Sequence, residues 1–146
     1  GAQLFLDILH ELACADRTQV ELIGVQSSDS SFPHSRRINR IVQFVEKNYN
    51  RKISLEDVGE QVGMSASSVS RFFKKRTRHN FWDYLNGFRI DRAAQMMIET
   101  EHTISEISYA CGFNNISNFN RVFRERIGTT PSDYRNKFKE SIIPDR

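Results

Sequence analysis

Two stretches of this chain set cationic, hydroxyl and amide side chains at the spacing of one helix face. Ser67, Ser70, Arg71 and Lys74 stand at i, i+3, i+4 and i+7, and Ser117, Asn120, Arg121 and Arg124 repeat that spacing fifty residues later. Arginine carries a planar fork of donors and no acceptor, matched to a carboxylate, a phosphate or the O6/N7 edge of guanine. Asparagine presents a donor and an acceptor together, as the adenine edge requires. Ser67, Ser70, Ser117 and Asn118 are short groups suited to a base edge or a water bridge. Either face alone reads as a solvated helix surface. The same face written twice, behind the same turn, points to a shared ligand.

The elements that must position these faces are also duplicated. Arg71-Phe72-Phe73-Lys74 matches Arg121-Val122-Phe123-Arg124, and Leu55, Val58, Val62 and Gly63 match Ile104, Ile107, Cys111 and Gly112 forty-nine residues on. This is an internal repeat, and each copy reads as helix, Gly-containing turn and basic helix, the pattern of a helix-turn-helix. Second and fifth helices are expected to start after Ser54, supported by Asp57, and after Thr103, which with Glu106 makes a capping box. Gly59 and Ser108 occupy equivalent, small positions where two helices must cross closely. The third helix follows Ser65 to about Thr77 and buries Val69, Phe72 and Phe73; the sixth buries Phe119, Val122, Phe123 and Ile127.

A first helix over about Arg36–Tyr49 carries the apolar stripe Ile38, Ile41, Val42, Val45 and Tyr49. Its start holds Arg36, Arg37 and Arg40, where the helix dipole disfavours cations and where a phosphate would compensate them. A fourth helix over about Phe81–Thr100, with Asn80 as its cap, is apolar nearly all round and so should be buried between the two repeats. Twenty residues give a rod of about 30 Å, close to the roughly 34 Å of one DNA turn. A seventh helix starts at Thr130-Pro131. Residues 3–15 read as a short amphipathic helix with the stripe Phe5, Ile8, Leu9 and Leu12, and residues 26–35 as a Ser-rich linker. The fold class expected is all-α: seven helices in two helix-turn-helix subdomains joined by a long central helix, with a short amphipathic helix before them.

Charge divides the 146 residues. Residues 36–139 hold 19 Lys/Arg against 11 Asp/Glu, a difference of +8, whereas residues 1–35 hold one Arg against five acids, a difference of −4. A basic body behind an acidic head fits a nucleic-acid footprint on the body alone. Lys75, Arg76 and Arg78, with Arg36 and Arg37, are placed to meet phosphates, as are the helix N-termini at Ser65 and Asn115. The base-facing set is Ser67, Ser70, Arg71, Lys74, Ser117, Asn118, Asn120, Arg121 and Arg124. Two cysteines, Cys14 and Cys111, make no disulfide framework, and Cys111 reads as a buried thiol in a reducing cytosol. No apolar run is long enough to span a membrane. The four histidines are scattered without ligand spacing, and no phosphate loop or nucleophile elbow occurs, so no catalytic residue, metal or cofactor is expected. A non-specific architectural DNA binder and a module that binds acidic protein surface remain as alternatives.

Within residues 36–139 the motifs Arg89-Ile90 to Ala93-Ala94, Ile104-Ser105-Glu106-Ile107, Ala110-Cys111-Gly112-Phe113, Phe119 with Phe123, and Gly128, Pro131, Tyr134-Arg135 resemble the arabinose-regulator (AraC/XylS-type) family of bacterial transcription regulators. The resemblance implies a double helix-turn-helix domain whose third and sixth helices enter the major groove of double-stranded DNA. It also implies transcription activation through recruited RNA polymerase. Residues 1–25 resemble the end of an effector-binding region that dimerises through Phe5, Ile8, Leu9 and Leu12. The small-molecule effector would bind a domain absent from this sequence, and residues 140–146 are read as a tail. Two residues depart from the family pattern: Gly59 stands for the usual Ala and should loosen its helix, and Arg78 stands for the usual Gly after the third helix.

Overall fold

The computed structural model describes residues 31–142; the expected helix at 3–15, with its stripe Phe5, Ile8, Leu9 and Leu12, lies outside the described residues. Those described form seven helices and no strand: α1 (Ser31–Asn48), α2 (Leu55–Val62), α3 (Ala66–Thr77), α4 (Phe81–Glu99), α5 (Ile104–Ala110), α6 (Ile116–Ile127) and α7 (Pro131–Ile142). Two boundaries differ from the sequence reading. The helix α1 starts five residues before Arg36, so the second half of the expected linker, 31–35, is helical. Pro33 is compatible with this because a first helical turn has no use for its missing N–H. Arg36, Arg37 and Arg40 therefore lie beyond the first turn, where the dipole's penalty has faded. At the other end α7 runs past residue 139 to Ile142.

The chain divides into two compact units. One holds α1, α2, α3 and α4 up to Tyr84; the other holds residues 49–52, α4 from Leu85, and α5 to α7. In the first, Ile38, Ile41, Val45, Val58, Val69 and Phe73 are buried, and Phe73 packs on Phe81 and Tyr84 at ring distances of 5.6 and 5.5 Å. Phe72, expected in the core, is only half-buried; Thr77 is buried, its hydroxyl donating to the Phe73 carbonyl at 2.9 Å. In the second, Ile90, Ala93, Met97, Ile107, Phe119 and Phe123 form the core, with Cys111 fully buried among them. Burial pushes the Cys111 thiol up to about 11, so it stays protonated. The long helix, expected to be buried, is not buried on every side: its apolar Trp82 and Ile98 remain exposed.

Both repeats start on the capping boxes read from the sequence. Ser54 Oγ accepts from the Asp57 amide at 3.1 Å while Asp57 accepts from the Ser54 amide at 3.0 Å; Thr103 and Glu106 do the same at 3.2 and 2.7 Å. The Thr103 amide and then its hydroxyl, both donating to the carboxylate, hold the Glu106 carboxyl below its ordinary range. Each repeat then turns on one bond closed across six residues, Met64 N–H to Gly59 carbonyl and Phe113 N–H to Ser108 carbonyl, both at 3.0 Å. A Cβ on Gly59 would lie 2.2 Å from the Met64 carbonyl oxygen. The expectation of a loosened α2 is thus overturned: the glycine admits a backbone approach that alanine would obstruct.

A second close approach fixes residues 49–52. Arg89 donates from Nε to the Tyr49 carbonyl and from Nη2 to the Arg51 carbonyl, each at 2.8 Å. Gly112, at φ +88°, lies so near that a Cβ there would come within 2.2 Å of the same Tyr49 oxygen. Arg135 plays a related part at the end of α4, donating to the carbonyls of Met97 and Thr100 at 3.1 and 3.4 Å. These contacts give Arg89, Gly112 and Arg135 roles in the fold.

Gly112→Ala should lower stability by about 1–3 kcal/mol, the range for forced overpacking, with the added strain of a left-handed alanine. Arg78 is the one non-glycine residue with positive φ among those described, at φ 61°. Arg78→Gly should therefore raise stability by about 0.5–1 kcal/mol. Thermal and urea denaturation of both variants measures these shifts; opposite signs would contradict the packing described.

Candidate nucleic-acid interface

Burying Val69 and Phe73 on one side of α3 leaves Ser67, Arg71 and Lys74 exposed on the other, with Ser70 half-buried between them. In α6, burial of Phe119, Val122 and Phe123 exposes Ser117, Asn118, Asn120, Arg121 and Arg124. Each expected base-facing set thus occupies one side of one helix. Asn120, Arg121 and Arg124 also line an open groove against Thr130, Pro131 and Ser132 at the start of α7.

The residues expected at phosphates fall into three groups. Ser65 and Asn115 are N-caps, accepting from the amides of Ser68 and Asn118 at 3.3 and 3.1 Å. Each occupies one amide of its helix start, and the others of the first turn have no intrahelical acceptor. Lys75, Arg78 and Arg36 are exposed, Arg37 half-buried. Arg78 closes α3 in the left-handed conformation, its amide donating to the Lys74 carbonyl at 2.8 Å, as Gly128 closes α6 on Arg124 at 2.9 Å.

Arg76 differs from its neighbours. Its Nη2 meets Nδ1 of His34 in the first turn of α1, and the His34 ring lies 5.8 Å from that of Phe72. Desolvation and then the charges of Arg76, Arg37 and Lys75 hold His34 below its ordinary pKa, so at neutral pH it is an uncharged acceptor for Arg76. A contact across 42 residues has no signature in local spacing.

Arg121 is the most constrained cation of the two faces. Its Nη1 donates to Glu125 Oε1 at 2.8 Å and its Nη2 to Asn118 Oδ1 at 2.9 Å. Glu125 was absent from the expected site, although its i+4 spacing from Arg121 was a readable signal. On α3 the residues equivalent to Asn118 and Glu125 are Ser68 and Lys75.

A helix-turn-helix domain family matches residues 58–137. The chain is 28% identical over 107 residues to the HTH-type transcriptional activator RhaS of Salmonella schwarzengrund (strain CVM19633), covering 73% of this chain and 38% of that protein. The chain thus spans under two-fifths of that relative's length. Among solved structures, an AraC-type transcriptional regulator of Chromobacterium violaceum is 26% identical with a TM-score of 0.67, over 75% of this chain and 96% of that one. The DNA-binding domain of the global transcriptional factor AdpA, solved with a target DNA, reaches a TM-score of 0.69 over 75% of this chain and 98% of that one; at 18% identity this is a likeness of fold. With two capped helix-turn-helix repeats, each presenting a polar face on its second helix, the chain belongs to the arabinose-regulator (AraC/XylS-type) family of transcription regulators and carries that family's DNA-binding domain.

Proposed function

We propose that the chain binds double-stranded DNA sequence-specifically, with α3 and α6 each entering a segment of major groove. The observation that carries this reading is the duplicated Ser/Asn/Arg face, exposed on the second helix of each repeat. In it Arg71, Arg121 and Asn120 read base edges, assisted by Ser67, Ser70, Lys74, Ser117, Asn118 and Arg124. Lys75, Arg78, Arg36 and the amides behind Ser65 and Asn115 meet phosphates. Arg76 and Arg37 contribute mainly through their charge, since Arg76 already has a partner in His34. The relative named as an activator supports transcription activation by the whole protein. Recruited RNA polymerase, dimerisation and a small-molecule effector are carried over from the family resemblance alone.

Selection of bound duplexes from a random library tests the reading. Two enriched motifs about one helical turn apart are expected; no enrichment would favour an architectural binder or a module for acidic protein surfaces. Arg121→Ala should cost about 1–3 kcal/mol and relax preference at one base pair. Lys75→Ala should weaken all duplexes alike and reduce the salt slope by about one. Titrations of both variants at several salt concentrations separate the two behaviours, and equal, sequence-independent losses would remove Arg121 from the reading set.

A further inference from the structure

Arg121 has two side-chain partners on its own helix, and its counterpart Arg71 has none among the described residues. A guanidinium has five N–H donors. Two point to Asn118 and Glu125, one from each terminal nitrogen, which leaves three for a ligand. Two partners at the i−3 and i+4 positions fix both the direction and the roll of the fork. The Glu125 carboxylate also offsets part of the charge that would otherwise draw Arg121 to the nearest phosphate. On α3 the corresponding neighbours do neither. Ser68 is engaged by Ser65 at 2.9 Å, and Lys75 adds a charge of the same sign.

Resting on the DNA-reading role proposed above, we infer that Glu125, acting with Asn118, is a positioning residue that makes Arg121 a selective base reader and so determines specificity through α6. The physical reason is a difference between acceptors. A free arginine gains nearly as much from any phosphate as from a guanine, because charge dominates. An arginine already paired with a carboxylate gains little from charge and most from two acceptors placed where its remaining donors point. Selectivity is thereby bought with some affinity. Arg71, without a clamp, discriminates less sharply between a base edge and a phosphate.

The test uses the whole chain, the duplex it enriches from a random library, every single-base-pair variant of that duplex and a scrambled duplex. Arg121→Ala first identifies the base pair it reads. Glu125→Ala should then bind the scrambled duplex about two- to five-fold more tightly, with a steeper salt dependence, and lose preference at the Arg121 base pair by a similar factor. Glu125→Gln, which removes the charge and keeps an acceptor, should show the same gain on the scrambled duplex and retain the preference. Its side chain is 59% exposed, so these changes leave the core untouched. A uniform gain on all duplexes with Glu125→Ala, the Arg121 base-pair preference intact, would overturn the inference by making Glu125 a simple repulsive charge. Relaxation at a different base pair would overturn it by making Glu125 a reader in its own right. If Arg121→Ala relaxes no base pair, the DNA-reading assignment of Arg121 fails and takes the inference with it.

Discussion

Both polar faces depend on one backbone hydrogen bond made twice. The bonds from Met64 to Gly59 and from Phe113 to Ser108 close the turns that reverse the chain between the paired helices. The Ser108 carbonyl gains its partner at the end of a short helix from this bond, and the Gly59 carbonyl, which also accepts from the Gly63 amide, gains a second. Helices of eight and seven residues, such as α2 and α5, have too few internal bonds to hold themselves in water. Their capping boxes at one end and these turns at the other supply what length does not. Only then can α3 and α6 bury Val69 with Phe73, and Phe119 with Phe123, and turn their polar sides outward.

The two copies solve the same problem with different residues. In the first, Gly59 lets the Met64 carbonyl come closer than a Cβ would permit, whereas Ser108 in the second keeps its Cβ and donates its hydroxyl to the Ser105 carbonyl at 2.9 Å. The first reading helix ends on a left-handed arginine, the second on a left-handed glycine. The first gathers free cations around Arg71; the second adds Asn118, Asn120 and Glu125 around Arg121. Amide and carboxylate groups restrict where a guanidinium can bond, and extra cations do not, so the copies diverge in the kind of contact each can make.

Most of this fold could be read from the chain because it is built from local signals. Ser54 with Asp57, Thr103 with Glu106, Gly63 and Pro131 are rules of helix ends, and the fifty-residue repeat gave each face an internal control. The start of α1 was hidden because Ser31 to Ser35 has the composition of a linker while Pro33 is harmless in a first turn. The value of Gly59 lies outside helix propensity, which counts only the helix that holds the residue, whereas the relevant atom belongs to the backbone five residues on. His34 with Arg76 and Arg89 with Tyr49 pair residues about forty positions apart, which no spacing announces. The Arg121 clamp was local, but a face sorted into bases and phosphates left no place for an acid.

Arg89 has a further effect. Desolvation lowers its pKa, yet an arginine so placed remains a cation, and its hydrogen-bonding partners are carbonyl dipoles. The Phe113 ring adds its negative face at 5.8 Å. No carboxylate within the described residues neutralises it. Salt screens its field in the solvent over about 8 Å at physiological ionic strength, as it does that of any protein charge. Within that range Arg89 adds a fixed positive contribution that none of its own partners offsets. A residue retained for holding two carbonyls thus also sets part of the electrostatic background in which any polyanion approaches.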